Sequence, residues 1–344
     1  MGFHLWAVAK FNADMFLRDV LPLVSSAHFK TITVGHTVES FANTLPRFSS
    51  SANADNDKLV VLIADSAAAE ILKSIPDGTR ERLVWIHSLF TGVDAFQLDS
   101  VADLISHVPV TNSRGAFSLP LAEHVLLSCL YFNRQVHKMR HATSVWDRYP
   151  SPVLQQQSMG IIGYGEIGQV CAKHLVGFGM RVTGLRKRPV QLGSSSDAVG
   201  VRVVSGDDAL ETMLKESDFI LNLLPLTSES RKFFNRDVFR RMKKECVFIN
   251  IGRGATVDED ALVDALQEGT IKGAAVDVFE QEPLPSNSPL WKVVETQKLL
   301  LTPHNANIFP GICEFAGGQF ADFAKKFVEC GELPSYRVDV RRGY

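Results

Sequence analysis

Three separated segments of the sequence place chemically capable side chains directly after short apolar runs. Phe248-Ile249-Asn250-Ile251-Gly252-Arg253-Gly254 ends on a guanidinium. Ala275-Val276-Asp277-Val278-Phe279-Glu280-Gln281-Glu282-Pro283 ends on carboxylates, and Leu301-Thr302-Pro303-His304 ends on an imidazole. If each run is a strand of one open α/β sheet, the three groups meet at its carboxyl edge, where such sheets bind ligands. A guanidinium grips carboxylates with a two-pronged fork, and an imidazole titrates near neutrality. The set therefore contains the group types that anion binding and proton transfer require.

A fourth segment points to what shares that edge. Met159-Gly160-Ile161-Ile162-Gly163-Tyr164-Gly165-Glu166-Ile167-Gly168 is an apolar run entering GxGxxG, followed by a helical pattern over residues 169–177. Gly163 permits the tight turn, Gly165 lets a diphosphate approach the backbone, and Gly168 allows close helix–strand packing. The diphosphate then sits on the N–H groups that open the helix. A strand before, a helix after and a further strand closing the unit distinguish a dinucleotide site from an ordinary turn. About 20 residues on, NAD-binding units carry an acidic residue for the ribose hydroxyls. This chain instead reads Thr183-Gly184-Leu185-Arg186-Lys187-Arg188. A carboxylate there repels a 2′-phosphate, whereas cations bind one, each charge-assisted bond contributing roughly 1.5–3 kcal/mol, or about 10- to 150-fold. NADP(H) is therefore the expected cofactor, with Arg186 standing where an aspartate would; NAD(H) stays open as a second.

These groups need a scaffold, and the pattern around them supplies one. Residues 58–63 (KLVVLI) and 83–87 (LVWIH) read as buried strands with a helix at 65–74 between them, and the polar stretch 48–57 reads as a surface loop. A long helical pattern covers 120–142, and Tyr149-Pro150-Ser151-Pro152 follows. The alternation restarts at Ser158, with further strands at 181–185, 219–223, 246–251, 274–278 and 298–302. Alternation of this kind implies an α/β fold of two doubly wound parallel-sheet domains. The helical pattern at 313–330 lies beyond the second unit and is free to fold back on the first.

Composition narrows the class. The 344 residues are 45% hydrophobic and 22% charged with a net charge of −2, which suits a two-domain protein and argues against nucleic-acid or membrane-surface binding. No apolar run approaches the roughly 20 residues of a membrane span. The N-terminal MGFHLW does not read as a secretory signal, and five scattered cysteines without CxxC spacing suggest free thiols, so a cytoplasmic location is expected. His137 and His141 are spaced four apart, but a solvated helix face explains them better than a metal, and no metal is expected.

Taken together, the motifs resemble the D-isomer-specific 2-hydroxyacid dehydrogenase family, of the glyoxylate/hydroxypyruvate reductase type. The matching stretch runs from residue 83 to the terminal VDVRRGY and contains GxGxxG, Leu223-Leu224-Pro225-Leu226-Thr227, NIGRG, DVFEQEP and TPH in order. The resemblance implies a catalytic triad of Arg253, Glu282 and His304. Arg253 would bind the substrate carboxylate and polarise the carbonyl, His304 would donate the proton, and Glu282 would orient the imidazole. It also implies cofactor contacts from Gly163, Tyr164, Gly165, Glu166, Ile167, Gly168, Arg186, Lys187, Arg188, Leu224, Pro225, Thr227, Gly252, Arg253 and His304. Asp277, together with the Ile251 carbonyl, would hold the nicotinamide carboxamide.

The substrate loop is expected at Phe90, Thr91 and Gly92, whose backbone N–H groups would join Arg253 and His304 around the substrate. Phe90-Thr91 departs from the family's small residue and glycine pair, and Phe90 either walls off a small pocket or packs in the core. Asn305-Ala306-Asn307 after the histidine is a second departure, and Asn112 is a candidate hinge contact. The resemblance implies a flavodoxin-like substrate domain (1–112 and 308–344), a Rossmann domain (113–307), an active site in a cleft that closes between them, and a homodimer formed through 120–149.

The expected activity is hydride transfer between NADP(H) and a small 2-keto or 2-hydroxy acid of D configuration, such as glyoxylate or hydroxypyruvate. An NAD-dependent phosphoglycerate or D-lactate type dehydrogenase is one alternative. A nucleotide-sensing, corepressor-like protein is another, and the complete triad weighs against it. The Arg186 cluster predicts a higher kcat/KM with NADPH than with NADH; equal values for the two reduced cofactors contradict it.

Overall fold

The computed structural model describes residues 2–9, 16–24, 28–42, 57–141, 146, 148–187 and 199–343. The chain divides into two compact units, Met1–Ala116 with Phe309–Tyr344, and Phe117–Ile308. Among the described residues no helix is long and apolar enough to cross a membrane.

The first unit holds a parallel sheet of β1 (Phe3–Val8), β2 (Thr31–Gly35), β3 (Lys58–Ile63), β4 (Leu83–Ser88) and β5 (Val110–Asn112), in the order β2-β1-β3-β4-β5. That is the flavodoxin order, with its reversal between β1 and β3. Leu59 to Ile63 are each fully buried, which explains why β3 reads as an unbroken apolar run: a parallel strand covered on both faces has no solvent side to alternate with. The last helix, Ile312–Cys330, packs on this sheet, with the Phe320 and Phe327 rings each 5.3 Å from Trp85.

Asp57 departs from the expected surface loop; the rest of that stretch, 48–56, lies outside the described residues. Its carboxylate is 8% exposed and accepts from the Gly2 amide (2.8 Å), Lys30 Nζ (2.9 Å) and His4 Nε2 (3.2 Å). A carboxylate can leave water only when so many donors replace it. Burial opposes ionisation here, yet Lys30, His4 and the Gly2 amide outweigh it and hold the carboxyl at about 2.

The second unit holds β6 (Ser158–Ile162), β7 (Arg181–Leu185), β8 (Arg202–Val204), β9 (Phe219–Asn222), β10 (Val247–Asn250), β11 (Gly273–Val276) and β12 (Leu299–Leu301). Every pairing is parallel, and the order is β12-β11-β10-β9-β6-β7-β8. This is the Rossmann arrangement, reversing between β6 and β9. Beneath β10, Phe248 packs its ring 4.7 Å from Phe234 and 5.3 Å from Phe239, so the strand that leads to Arg253 rests on a rigid aromatic floor.

The single helix expected over 120–142 is two, Ser118–Asn133 and Val136–His141. Gln135 takes a left-handed φ of 52°, which ends the first helix, and its Nε2 donates to the Pro150 carbonyl. Apolar spacing cannot register one reversed residue between two helical turns. Ala142 lies outside the described residues.

Asp57 yields a test of stability against pH. Its folded pKa of about 2 lies below the unfolded value of about 3.9, so the unfolded chain binds more protons between those values. Stability from Asp57 is thus complete above pH 4 and lost as pH falls towards 2. Thermal unfolding followed by circular dichroism should show Asp57→Asn less stable at pH 5 and declining less steeply below pH 4. Parallel declines in parent and variant rule out the pairing as a stabilising element.

Candidate functional site

The glycine loop lies at the end of β6, beside the reversal. Gly163 has φ of 95°, and a Cβ there would stand 2.7 Å from the Leu223 backbone carbon, so glycine is required for both conformation and space. Gly165 caps the helix Glu166–Gly177 with no side-chain cap bond, and a Cβ on it would meet no protein atom nearer than 4.0 Å. Glycine at 165 is therefore not demanded by the protein's own packing. An open cradle over uncapped helical N–H groups is what a diphosphate needs, and the residues fit a dinucleotide. The Glu166 carboxylate accepts from Ser118 Oγ, and its backbone N–H is among those that open the helix.

Tyr164 is buried, and Arg186, at the exit of β7, is fixed to it twice. Arg186 Nε donates to the Tyr164 carbonyl at 2.6 Å, and its guanidinium lies 5.4 Å from the ring centroid. Lys187 forms a surface ion pair with Glu229. Arg188 lies outside the described residues.

The loop after β9 is shaped by hydroxyls. Ser230 Oγ donates to the Pro225 carbonyl (2.6 Å) and accepts from the Thr227 amide (2.8 Å), while Leu224 N donates to Asn222 Oδ1 (3.0 Å). Asn222, Asn250 and Thr256 are fully buried and bonded together: Asn222 Nδ2 donates to Asn250 Oδ1 (2.9 Å) and to Thr256 Oγ1 (2.7 Å). This network grips both sides of Arg253, because Asn250 Oδ1 accepts from Gly252 N (3.1 Å) and Thr256 Oγ1 donates to the Arg253 carbonyl (2.6 Å). Ile251 is buried between them. Sequence reasoning missed all three residues. Their signal is a polar residue closing each apolar strand, in FILN and VFIN.

The carboxylate and imidazole meet directly. His304 Nδ1 lies 2.6 Å from Glu282 Oε2, and Glu282 Oε1 accepts from the Phe279 amide at 2.9 Å. One carboxylate thus joins the segment leaving β11 to the residue leaving β12. His304 has φ of 50°, a left-handed conformation uncommon for residues other than glycine. Asp277, 2% exposed, accepts from Thr302 Oγ1 (2.6 Å), Asn305 N (3.0 Å) and Ala306 N (3.1 Å), and its carbonyl accepts from His304 N (2.8 Å). Asn305 and Ala306, a departure from the family pattern in type, therefore act here through their backbone. Arg253, Glu282, Asp277 and His304 all leave the carboxyl ends of adjacent strands, β10, β11 and β12.

In the first unit, the Phe90-Thr91-Gly92 loop follows β4. Asn112 Nδ2 donates to the Thr91 carbonyl (2.6 Å), and Tyr336 Oη donates to the Asn112 carbonyl (2.8 Å), so Asn112 holds the loop within its own unit. Phe90 is 40% exposed with its ring 6.2 Å from Phe96, which excludes the core-packing alternative. Among the described residues no group of three or more His, Cys, Asp and Glu side chains is placed to hold a metal ion.

Comparison with known proteins agrees with this geometry. The model of the D-isomer specific 2-hydroxyacid dehydrogenase NAD binding domain matches residues 126–306. The chain is 32% identical over 261 residues to a glyoxylate reductase of Thermofilum pendens, spanning 74% of this chain and 73% of that one. It is 30% identical over 298 residues to a glyoxylate reductase of Thermococcus litoralis, spanning 82% and 83%. A D-isomer specific 2-hydroxyacid dehydrogenase from Xanthobacter autotrophicus Py2, solved in complex with NADPH and MES, is similar over 100% of both chains, with TM-score 0.76 and 28% identity. A dinucleotide loop at the sheet reversal, strand ends carrying a guanidinium and a carboxylate–imidazole pair, and these matches give one answer: the chain belongs to the D-isomer specific 2-hydroxyacid dehydrogenases and is an NAD(P)-dependent oxidoreductase.

Proposed function

We propose that this oxidoreductase uses NADP(H) to reduce a small 2-keto acid, such as glyoxylate or hydroxypyruvate, to the 2-hydroxy acid, of D configuration where the product is chiral. The observation that carries the reading is the 2.6 Å pair of His304 Nδ1 and Glu282 Oε2. An ionised carboxylate only accepts, so the proton on that side belongs to Nδ1, and Nε2 is the atom offered to a substrate.

The reduced nicotinamide, when bound, supplies the hydride to the carbonyl carbon. Arg253 binds the neighbouring carboxylate and draws electron density from the carbonyl oxygen; a guanidinium has five N–H donors, enough for the Gly252 carbonyl and a two-pronged carboxylate contact. As charge builds on that oxygen, His304 Nε2 gives it a proton. Glu282, kept in place by the Phe279 amide, holds the ring's orientation through Nδ1. Asp277 and the Ile251 carbonyl receive the nicotinamide carboxamide: a carboxylate has about four acceptor sites, and three donors are described on Asp277.

NADP(H) preference rests on Arg186 and Lys187. Arg186 is already fixed by Tyr164, so binding a 2′-phosphate costs it little further side-chain freedom. Lys187 would exchange a surface ion pair, worth at most about 1 kcal/mol, for a phosphate contact of roughly 1.5–3 kcal/mol. The NADPH complex of the Xanthobacter relative supports this reading, and the two glyoxylate reductases support the substrate class. A homodimer through 120–149 is part of the proposal, supported by the exposed apolar side chains of Leu127 and Met139 within that segment. The cysteines are free thiols, which suits a cytoplasmic enzyme.

With NADPH and glyoxylate, absorbance at the nicotinamide band should fall, and a bulky aromatic 2-keto acid should be turned over more slowly than glyoxylate or hydroxypyruvate. Replacing His304 by alanine should lower kcat by about 10²- to 10⁴-fold. The NADPH dissociation constant, read by fluorescence titration, should stay within roughly threefold of the parent. A matching loss of cofactor binding reassigns His304 from proton transfer to cofactor contact.

A further inference from the structure

We propose that Thr302 is a positioning residue for His304, acting through the buried carboxylate of Asp277. The proposal rests on His304 being the proton donor. Asp277 grips the chain on both sides of His304: Thr302 Oγ1 before it, the Asn305 and Ala306 amides after it, and the His304 amide through its own carbonyl. Between those anchors His304 is held at φ 50°. Of the carboxylate's described donors, Thr302 contributes the one side chain, and its 2.6 Å bond is the shortest. Only this donor can be removed without altering the backbone.

The hydroxyl is also directed from behind. His124, on the helix Ser118–Asn133, has Nε2 3.5 Å from Thr302 Oγ1, the outer limit of a hydrogen bond. A hydroxyl has one proton, and Thr302 gives it to Asp277, so His124 Nε2 is the donor in that contact. Burial pushes the His124 pKa down, and the Asp277 charge partly restores it. Thr302 is thus held by the carboxylate with His124 behind it, and its geometry passes to the backbone that carries the imidazole.

Thr302→Val keeps the shape and removes the hydroxyl; Thr302→Ser keeps the hydroxyl. Misplacing a catalytic group by about 1 Å costs up to about 100-fold, so Thr302→Val should lower kcat with glyoxylate roughly 10- to 100-fold. Thr302→Ser should remain within about twofold of the parent, and NADPH dissociation constants within about threefold for both. Thr302→Ala is a second hydroxyl-free variant should the valine protein fail to fold. Parent-like kcat in the hydroxyl-free variant overturns the proposal. So does an equal loss in Thr302→Ser, or a loss of NADPH affinity as large as the loss of kcat. His304→Ala in the same assay separates the two levels. If it is inactive while Thr302→Val is fully active, only the positioning role fails. If His304→Ala retains turnover, the proton-donor reading falls and this proposal with it.

Discussion

A carboxylate at 2% exposure is tolerable only when hydrogen-bond donors replace the water it has lost, and Asp277 imposes that requirement on everything leaving β12. The donors come from residues 302, 305 and 306, so satisfying one charge dictates the path of the chain through His304. The left-handed backbone at His304 costs on the order of 1–3 kcal/mol and persists only where its surroundings over-determine it. Anchors on either side do so here. The ring then emerges beside Glu282, whose second oxygen is tied to Phe279, two residues beyond Asp277. Both halves of the carboxylate–imidazole pair are therefore referenced to the end of β11.

Arg253 is held by different means. Asn222, Asn250 and Thr256 form a neutral, fully buried network whose donors and acceptors answer one another across β9, β10 and the turn beyond. Satisfied networks of this kind fix geometry, and a partly satisfied one is costly. A neutral holder also adds no charge next to the guanidinium. The imidazole is positioned by a carboxylate that fixes which ring nitrogen faces away from it, and the guanidinium, permanently charged, needs only placement.

Much of this was legible in the sequence because the signals are local. Parallel strands buried on two faces read as apolar runs, and GxGxxG sits in an uninterrupted strand–turn–helix. Arg253, Glu282 and His304 each follow a strand by a few residues, so strand position alone orders them along one edge. What escaped depends on distance or on single torsions. Asp57 looks like a loop residue until Lys30 and His4, 27 and 53 positions away, are brought to it by the pairing of β1 with β2 and β3. Gln135 breaks a helix with one positive φ that no periodicity encodes. Asn222 and Asn250 have the composition of turns and the location of core. Phe90 is compatible with either environment by type, and only its exposure decides.

The basic run after β7 shows how a composition signal becomes a structural one. Three adjacent cations can also form a solvated loop, in which each side chain must be ordered before it can bind anything. Arg186 is not in that state. Its Nε is committed to the Tyr164 carbonyl and its guanidinium rests over the Tyr164 ring. The ring can lie there because residue 184 has no side chain: a Cβ on Gly184 would stand 2.3 Å from it. A glycine in β7 and an aromatic residue between the first two fingerprint glycines thus cooperate to present one fixed cation at the strand exit. An aspartate at that exit would use the same location to favour a ribose hydroxyl. The proposed discrimination for a 2′-phosphate therefore depends on how rigidly one charge is mounted, and the mounting is built from the glycine loop itself.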